Sequence, residues 1–241
     1  MRTGHYRWII ILLLLTGCTF PRIPSKQHRV FARIRDAVVH VGQFTQSGDT
    51  ETGQLLGSGF FVDQRCTVVT AKHLLANADL DRLYIKFIPV ENRNKFQSLR
   101  VDGIYQHEKK DIAFLQASAC YAKIRPLRLT GKLDDLSALG GEIVLIGGFP
   151  RLGSETVDYP ILRRAIIAST EFTDAQEHTD LLLLDIEGAP GFSGSPVVLE
   201  RSGRVVGVVR GSAKGATTTY GYNPQGATPI TQADYDATMG K

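Results

Sequence analysis

Two serines, Ser193 and Ser195, stand on either side of Gly194 in the stretch "GAPGFSGSPVV", residues 188–198. A serine hydroxyl is a weak nucleophile until a neighbouring base takes its proton, and that base needs a third group to hold its tautomer. Gly, Pro and Ser also build ordinary turns, so the stretch alone reads equally as a loop ahead of a strand. The chain offers six histidines as bases. His5 lies in an apolar leader and His28 in a polar segment. His40 sits inside an alternating strand, His107 just ahead of Lys109-Lys110 as an exposed loop residue, and His178 in a polar stretch. His73 differs, because it follows "FFVDQRCTVVTAK", a strand closing into a short turn, with Leu74 and Leu75 to seat it. Asp111 opens "DIAFLQ", an acid at the head of an apolar strand, which taken alone is also compatible with a solvated turn.

Taken together, these segments resemble the chymotrypsin-like (trypsin-like) serine peptidases, closest in pattern to Deg/HtrA-type protease domains. The His73 segment is similar to that family's Thr-Ala-x-His after a Val-rich strand, and "DIA" to its Asp-Ile-Ala-type acid segment. "GFSGSP" is similar to Gly-x-Ser-Gly-Gly/Ser-Pro, and "GSGFFVD" (57–63) precedes the histidine strand as in Deg-type members. The order His73, Asp111, Ser193, with gaps of 38 and 82 residues, also matches.

The resemblance implies that Ser193 attacks, His73 is base then acid, and Asp111 orients it, while Ser195 is inert. It implies an oxyanion hole from the amides of Gly191 and Ser193, with Gly191 there to let the backbone turn sharply against a substrate carbonyl. Val209, Arg210 and Gly211, in "GRVVGVVRG", are expected to pair with substrate backbone. Glu187 lies six residues before Ser193, where trypsin-like members place the acid that reads Lys or Arg; Asp185 nearby leaves a solvated strand edge as the alternative. Zymogen-type members carry an Asp before the nucleophile, where this chain has Phe192, so no propeptide cleavage is expected. The 48 residues after Ser193 lead us to expect no appended peptide-binding PDZ domain.

The chain has 241 residues, 43% hydrophobic and 22% charged, as soluble globular proteins do. Its beginning, "MRTGHYRWIIILLLLTGC", carries Arg2 and Arg7, then the apolar run Trp8–Leu15. That run is far short of the roughly 20 residues a membrane-spanning helix needs, and reads as a secretory signal. Leu15-Thr16-Gly17-Cys18 is similar to the bacterial lipoprotein signal, which implies removal of 1–17, lipidation of Cys18, and an exported, membrane-anchored protein facing the periplasm. Ordinary signal cleavage with Cys18 incidental is the alternative. Loss of two basic residues lowers the formal charge from +4 to +2. With no dense Lys/Arg run interleaved with aromatics, no nucleic acid partner is expected. HExxH, paired Cys-x-x-Cys and Gly-Lys-Ser/Thr patterns are absent from the sequence, so no metal and no cofactor are expected.

After Cys18 only Cys66 and Cys120 remain. In the family fold the strand into His73 and the strand out of Asp111 are antiparallel neighbours. Cys66 and Cys120 then reach the same far rim, where export would allow a disulfide; two separate buried thiols are the alternative.

Residues 18–28 read as a tether. Strands are expected near 37–44, 54–62, 66–70, 83–89, 97–106 and 111–117, and again near 142–148, 160–169, 180–186, 195–200, 203–210 and 217–222. A crossing linker is expected over 120–136 and one C-terminal helix over Thr231–Met239. The expectation is therefore all-β: two six-stranded antiparallel barrels, 29–128 and 129–241, with a short C-terminal helix. The implied function is a serine endopeptidase acting on polypeptides through a His-Asp-Ser triad. A peptidase fold without turnover, holding peptides as a lipoprotein, is the competing reading, and an esterase with the same triad a third.

Overall fold

The computed structural model describes residues 26–240 except 48–49, 94, 119, 121–122, 132, 134–135, 153–154, 157–158, 174–179 and 213–223. The leader 1–17, Cys18, the tether up to residue 25, His178 and the strand expected at 217–222 lie outside the described residues.

The last three residues expected in the tether, 26–28, are helical. Helix α1 spans Lys26–Ala37 and includes His28. Val30, Ile34 and Ala37 recur at helical spacing, so one face of α1 is apolar and enters a buried cluster with Phe60, Val69, Leu145, Phe149 and Val198. Its last turn carries Asp36, 5% exposed, paired with Arg35, Arg93 and Arg125 at 3.0, 3.3 and 3.2 Å.

Six strands then close a barrel: β1 (Val38–Ser47), β2 (Thr50–Phe61), β3 (Thr67–Thr70), β4 (Leu83–Phe87), β5 (Gln97–Gln106) and β6 (Ala113–Ala117). Their order is β1-β2-β3-β6-β5-β4. The period of two divides the side chains. Phe61, Val68 and Leu115 fill the barrel, whereas their neighbours Phe60, Val69 and Phe114 join the cluster shared with α1 and the second barrel.

The linker contributes β7 (Arg128–Leu129). After it come β8 (Ile143–Gly148), the separate short pair β9 (Arg151–Leu152) and β10 (Glu155–Thr156), then β11 (Ile161–Thr173), β12 (Asp180–Glu187), β13 (Pro196–Leu199), β14 (Arg204–Ser212) and β15 (Pro224–Pro229). The order β13-β8-β11-β12-β15-β14 is closed by a β13–β14 pairing, making a second six-stranded antiparallel barrel; β7 adds to β14 in parallel. Helix α2 (Gln232–Thr238) starts at Thr231, where Thr231 and Asp234 form a capping box. Tyr235 carries α2 back to the first barrel, meeting the Phe114 ring and donating its hydroxyl to Asp63 at 2.8 Å. Among the described residues the fold is therefore all-β, two barrels plus two α-helices. Among the described residues no helix is long and apolar enough to cross a membrane.

Candidate active site

Thr70, at the end of β3, pairs with Ala113, at the start of β6. The chain therefore delivers His73, on the short 3-10 turn Lys72–Leu75, beside Asp111, which precedes β6. The Oδ1 of Asp111 accepts the backbone N–H of His73 at 2.8 Å, and Oδ2 lies 2.7 Å from its Nδ1. An ionised carboxylate only accepts, which assigns the ring proton to Nδ1 and leaves Nε2 as the basic nitrogen. Asp111 is 5% exposed and the His73 side chain 42%, so the acid is sealed while the base faces out. Burial pushes the Asp111 carboxyl up. The hydrogen bonds and charge of His73 outweigh it, with Arg210 adding to them, and hold the carboxyl below the ordinary range.

The loop before Asp111 is tied down from both barrels. His107 Nδ1 accepts the N–H groups of Lys109 and Lys110 at 3.2 and 3.1 Å. The Lys110 ammonium pairs with Asp234 of α2 at 2.7 Å, and the Lys72 ammonium donates to the His107 carbonyl at 3.1 Å. His107 is thus a half-buried tie, 17% exposed, which corrects its reading as an exposed loop residue.

The turn carrying Ser193 is held by Ser58 of β2. The Ser58 amide donates to the Ser193 carbonyl at 2.8 Å, and its hydroxyl donates to the Gly191 carbonyl at 2.8 Å while accepting Phe149 N–H at 2.9 Å. The Pro190 carbonyl accepts from Arg151 N–H at 2.9 Å. The peptide planes around Gly191 are therefore fixed on their carbonyl sides. Among the described residues the N–H groups of Gly191 and Ser193 are not spent in these bonds. Gly191 has φ +90°, and a Cβ there would lie 2.4 Å from the Phe149 carbonyl oxygen. Its lack of a side chain is needed by the protein's own backbone, a reason the sequence had not offered.

The Ser193 hydroxyl donates to the Arg210 carbonyl at 3.4 Å. No hydrogen bond joins Ser193 to His73 among the described residues; the two sides of the site meet through Gly57, where a Cβ would touch both Leu74 and the Ser193 carbonyl. Ser195 is fully buried, away from solvent. Val209 spends both main-chain groups on the Ser193 turn, donating to Ser195 and accepting from Gly194 at 2.8 and 2.7 Å. It is therefore not open to an incoming peptide, which corrects its expected pairing role. The Gly211 carbonyl accepts from Gln225 at 2.5 Å. Glu187 ends β12 with its side chain exposed and its carbonyl held by Arg163 at 2.9 Å.

Cys66 and Cys120 are joined in a disulfide with Cα atoms 5.7 Å apart, and no cluster of possible metal ligands occurs among the described residues. Sequence reasoning missed the clamps Ser58 and Arg151 and the side chain of Arg210, whose Nε lies 3.7 Å from Asp111 Oδ2. Arg210 had left a signal, as a lone cation in the apolar run "VVGVVRG", and Ser58 lies within "GSGFFVD".

The His73–Asp111 pair and the clamped Ser193 turn, carried by two antiparallel barrels, have the architecture of the chymotrypsin-like fold. The trypsin-like peptidase domain matches residues 57–208, and the chain belongs to that family. Solved structures with this fold include the MamO protease domain from Magnetospirillum magneticum in its apo form, at TM-score 0.61 and 18% identity, covering 83% of this chain and 94% of that one. The HtrA-type protease AlgW with a decapeptide gives TM-score 0.61 at 16% identity, covering 88% of this chain and 66% of that one. Deg5 gives TM-score 0.61 at 18% identity, covering 85% and 89%. No curated protein matches the chain.

Proposed function

We infer that the chain is a serine endopeptidase that cleaves polypeptides through an acyl-enzyme. The observation that carries this reading is the two-point hold of Asp111 on His73, which fixes the imidazole tautomer that a general base needs. His73 Nε2 takes the Ser193 hydroxyl proton as Oγ bonds to the peptide carbonyl carbon. The carbonyl oxygen becomes an oxyanion received by the amides of Gly191 and Ser193, each such donor contributing about 3–4 kcal/mol to lowering the barrier. His73 then gives the proton to the leaving nitrogen as the C–N bond breaks, and water releases the acyl group by the same relay. The Arg210 carbonyl and Gly211 offer the backbone edge along which a peptide would lie. Glu187, with its exposed carboxylate, would favour a basic residue before the cut.

The leader further supports an exported lipoprotein, anchored to a membrane through Cys18 and facing the periplasm. One observation favours a second reading, a peptide-binding protein without turnover: the Ser193 hydroxyl is turned to Arg210 rather than to His73. Catalytic hydrogen bonds often tighten only when substrate binds, so the orientation is equally that of a resting enzyme. Hydrolysis of a quenched fluorescent peptide library decides between them. The enzyme reading expects turnover that Ser193→Ala and His73→Ala each abolish in folded protein; peptide binding with no turnover by the unaltered protein would favour the second.

A further inference from the structure

Arg210 is the residue of β14 that touches both halves of the site. Its carbonyl accepts the Ser193 hydroxyl, and its guanidinium Nε lies 3.7 Å from Asp111 Oδ2. That oxygen is the one that receives His73 Nδ1–H at 2.7 Å. The Arg210 side chain is 18% exposed and Asp111 5%, so solvent screens this contact far less than a surface pair. The other cations on the surrounding elements are directed elsewhere: Lys110 of the Asp111 loop to Asp234, and Lys72 of the His73 turn to the His107 carbonyl.

We propose that Arg210 is a positioning residue that acts through Asp111 to set how strongly His73 holds a proton. The proposal rests on the endopeptidase reading for its effect on rate, though not for its effect on the imidazole. A carboxylate that already faces a guanidinium offers less of its charge to an imidazolium, and the guanidinium itself opposes the second positive charge. Arg210 thereby weakens the hold that Asp111 has on an imidazolium at His73. The groups facing the imidazole in this argument are Asp111, from the loop before β6, and Arg210, from β14; His107 faces Asp234 instead.

The test uses the mature protein with Arg210→Gln and Arg210→Lys. Two readouts are taken: the pH profile of kcat/KM on a cleaved peptide, and the NMR titration of the His73 ring. For Arg210→Gln the acid limb and the ring titration both move to higher pH, by about one unit, as loss of a neighbouring positive charge requires. Arg210→Lys restores both midpoints towards those of the unaltered protein. If the unaltered protein hydrolyses peptide but neither midpoint moves in Arg210→Gln, the proposal is overturned and the endopeptidase reading stands. If nothing is hydrolysed but the ring titration still moves, the endopeptidase reading falls and the action of Arg210 on the Asp111–His73 pair stands.

Discussion

Asp111 grips His73 at two atoms, its Oδ1 on the backbone N–H and its Oδ2 on Nδ1. The main-chain contact fixes where the turn sits, and the ring contact fixes which nitrogen carries the proton. Neither could do the other's task. The arrangement depends on the β3–β6 pairing, which brings the exit of one strand to the entrance of the other.

Ser195 distinguishes the two possible serine registers. It is fully buried, its hydroxyl has no hydrogen-bond partner among the described residues, and a Cβ on Gly148 would lie only 2.1 Å from its Oγ. Ser195→Ala removes an unsatisfied hydroxyl from a tight site. Activity should stay within about threefold, and stability should hold or rise by up to about 1 kcal/mol. Loss of all turnover in this variant, with turnover surviving in Ser193→Ala, would show that the nucleophile is the other serine.

Gly194, like Gly191, is a position where the Ser193 turn tolerates no side chain. It has φ +87°, and a Cβ would stand 1.9 Å from the Ser58 carbonyl oxygen and 2.5 Å from Thr70 Oγ1. Backbone strain and the collision together make Gly194→Ala cost about 3 kcal/mol or more. Displacing Ser193 by even an ångström should lower kcat about a hundredfold. Thermal melting and turnover of the purified variant check both; an unchanged melting point would refute the clamp.

The Cys66–Cys120 bond closes a loop of 54 residues. In the chain-entropy model such a loop contributes about 4 kcal/mol. For a domain of this size that corresponds to a fall in Tm of roughly 8–16 °C on reduction or in the Cys66→Ser, Cys120→Ser double variant. Calorimetry with and without reductant measures it. Equal melting points would mean that the bond does not constrain the unfolded chain as described.

His40 gives stability a definite pH dependence. The ring is buried, stacked on Phe149 at 3.6 Å, and its Nε2 has no hydrogen-bond partner among the described residues. Burial, helped by the charge of Lys86, lowers its pKa to about 3. Above the unfolded value, near 6.5, neither state binds the proton and its contribution is complete. Below that value the unfolded chain takes up a proton that the folded one refuses, so stability falls as pH drops towards 3. His40→Phe keeps the stack and removes the titration. Between pH 7.5 and pH 5 the unaltered protein should lose about 2 kcal/mol more than the variant in denaturant titrations. Equal losses would place His40's proton elsewhere.

The barrels could be read from the sequence because their signals are local. Alternating apolar residues such as Val68 and Val69 feed two different cores, and Gly-rich turns separate the strands. The candidate site was legible for the same reason, since His73, Asp111 and Ser193 each sit beside a strand with its own pattern. Helix α1 was missed because Pro21, Pro24 and the polar run before Val30 outweighed the spacing of Val30, Ile34 and Ala37. Strand β15, "PQGATP", carries almost no β-forming residue, yet it is buried throughout between β12 and β14. Its conformation comes from pairing partners distant in the chain, which no local pattern records. The Arg210–Asp111 contact is of the same kind, joining residues from different barrels.

Activation of Ser193 by His73 can be read out directly by covalent labelling. A fluorophosphonate reagent phosphonylates an activated serine, the Oγ–P bond forming as fluoride leaves, and intact-mass spectrometry counts the adducts. One adduct is expected on the native protein, mapped to Ser193, and none on Ser193→Ala or His73→Ala. A native protein that stays unmodified while folded, or an adduct that survives in Ser193→Ala, would contradict it.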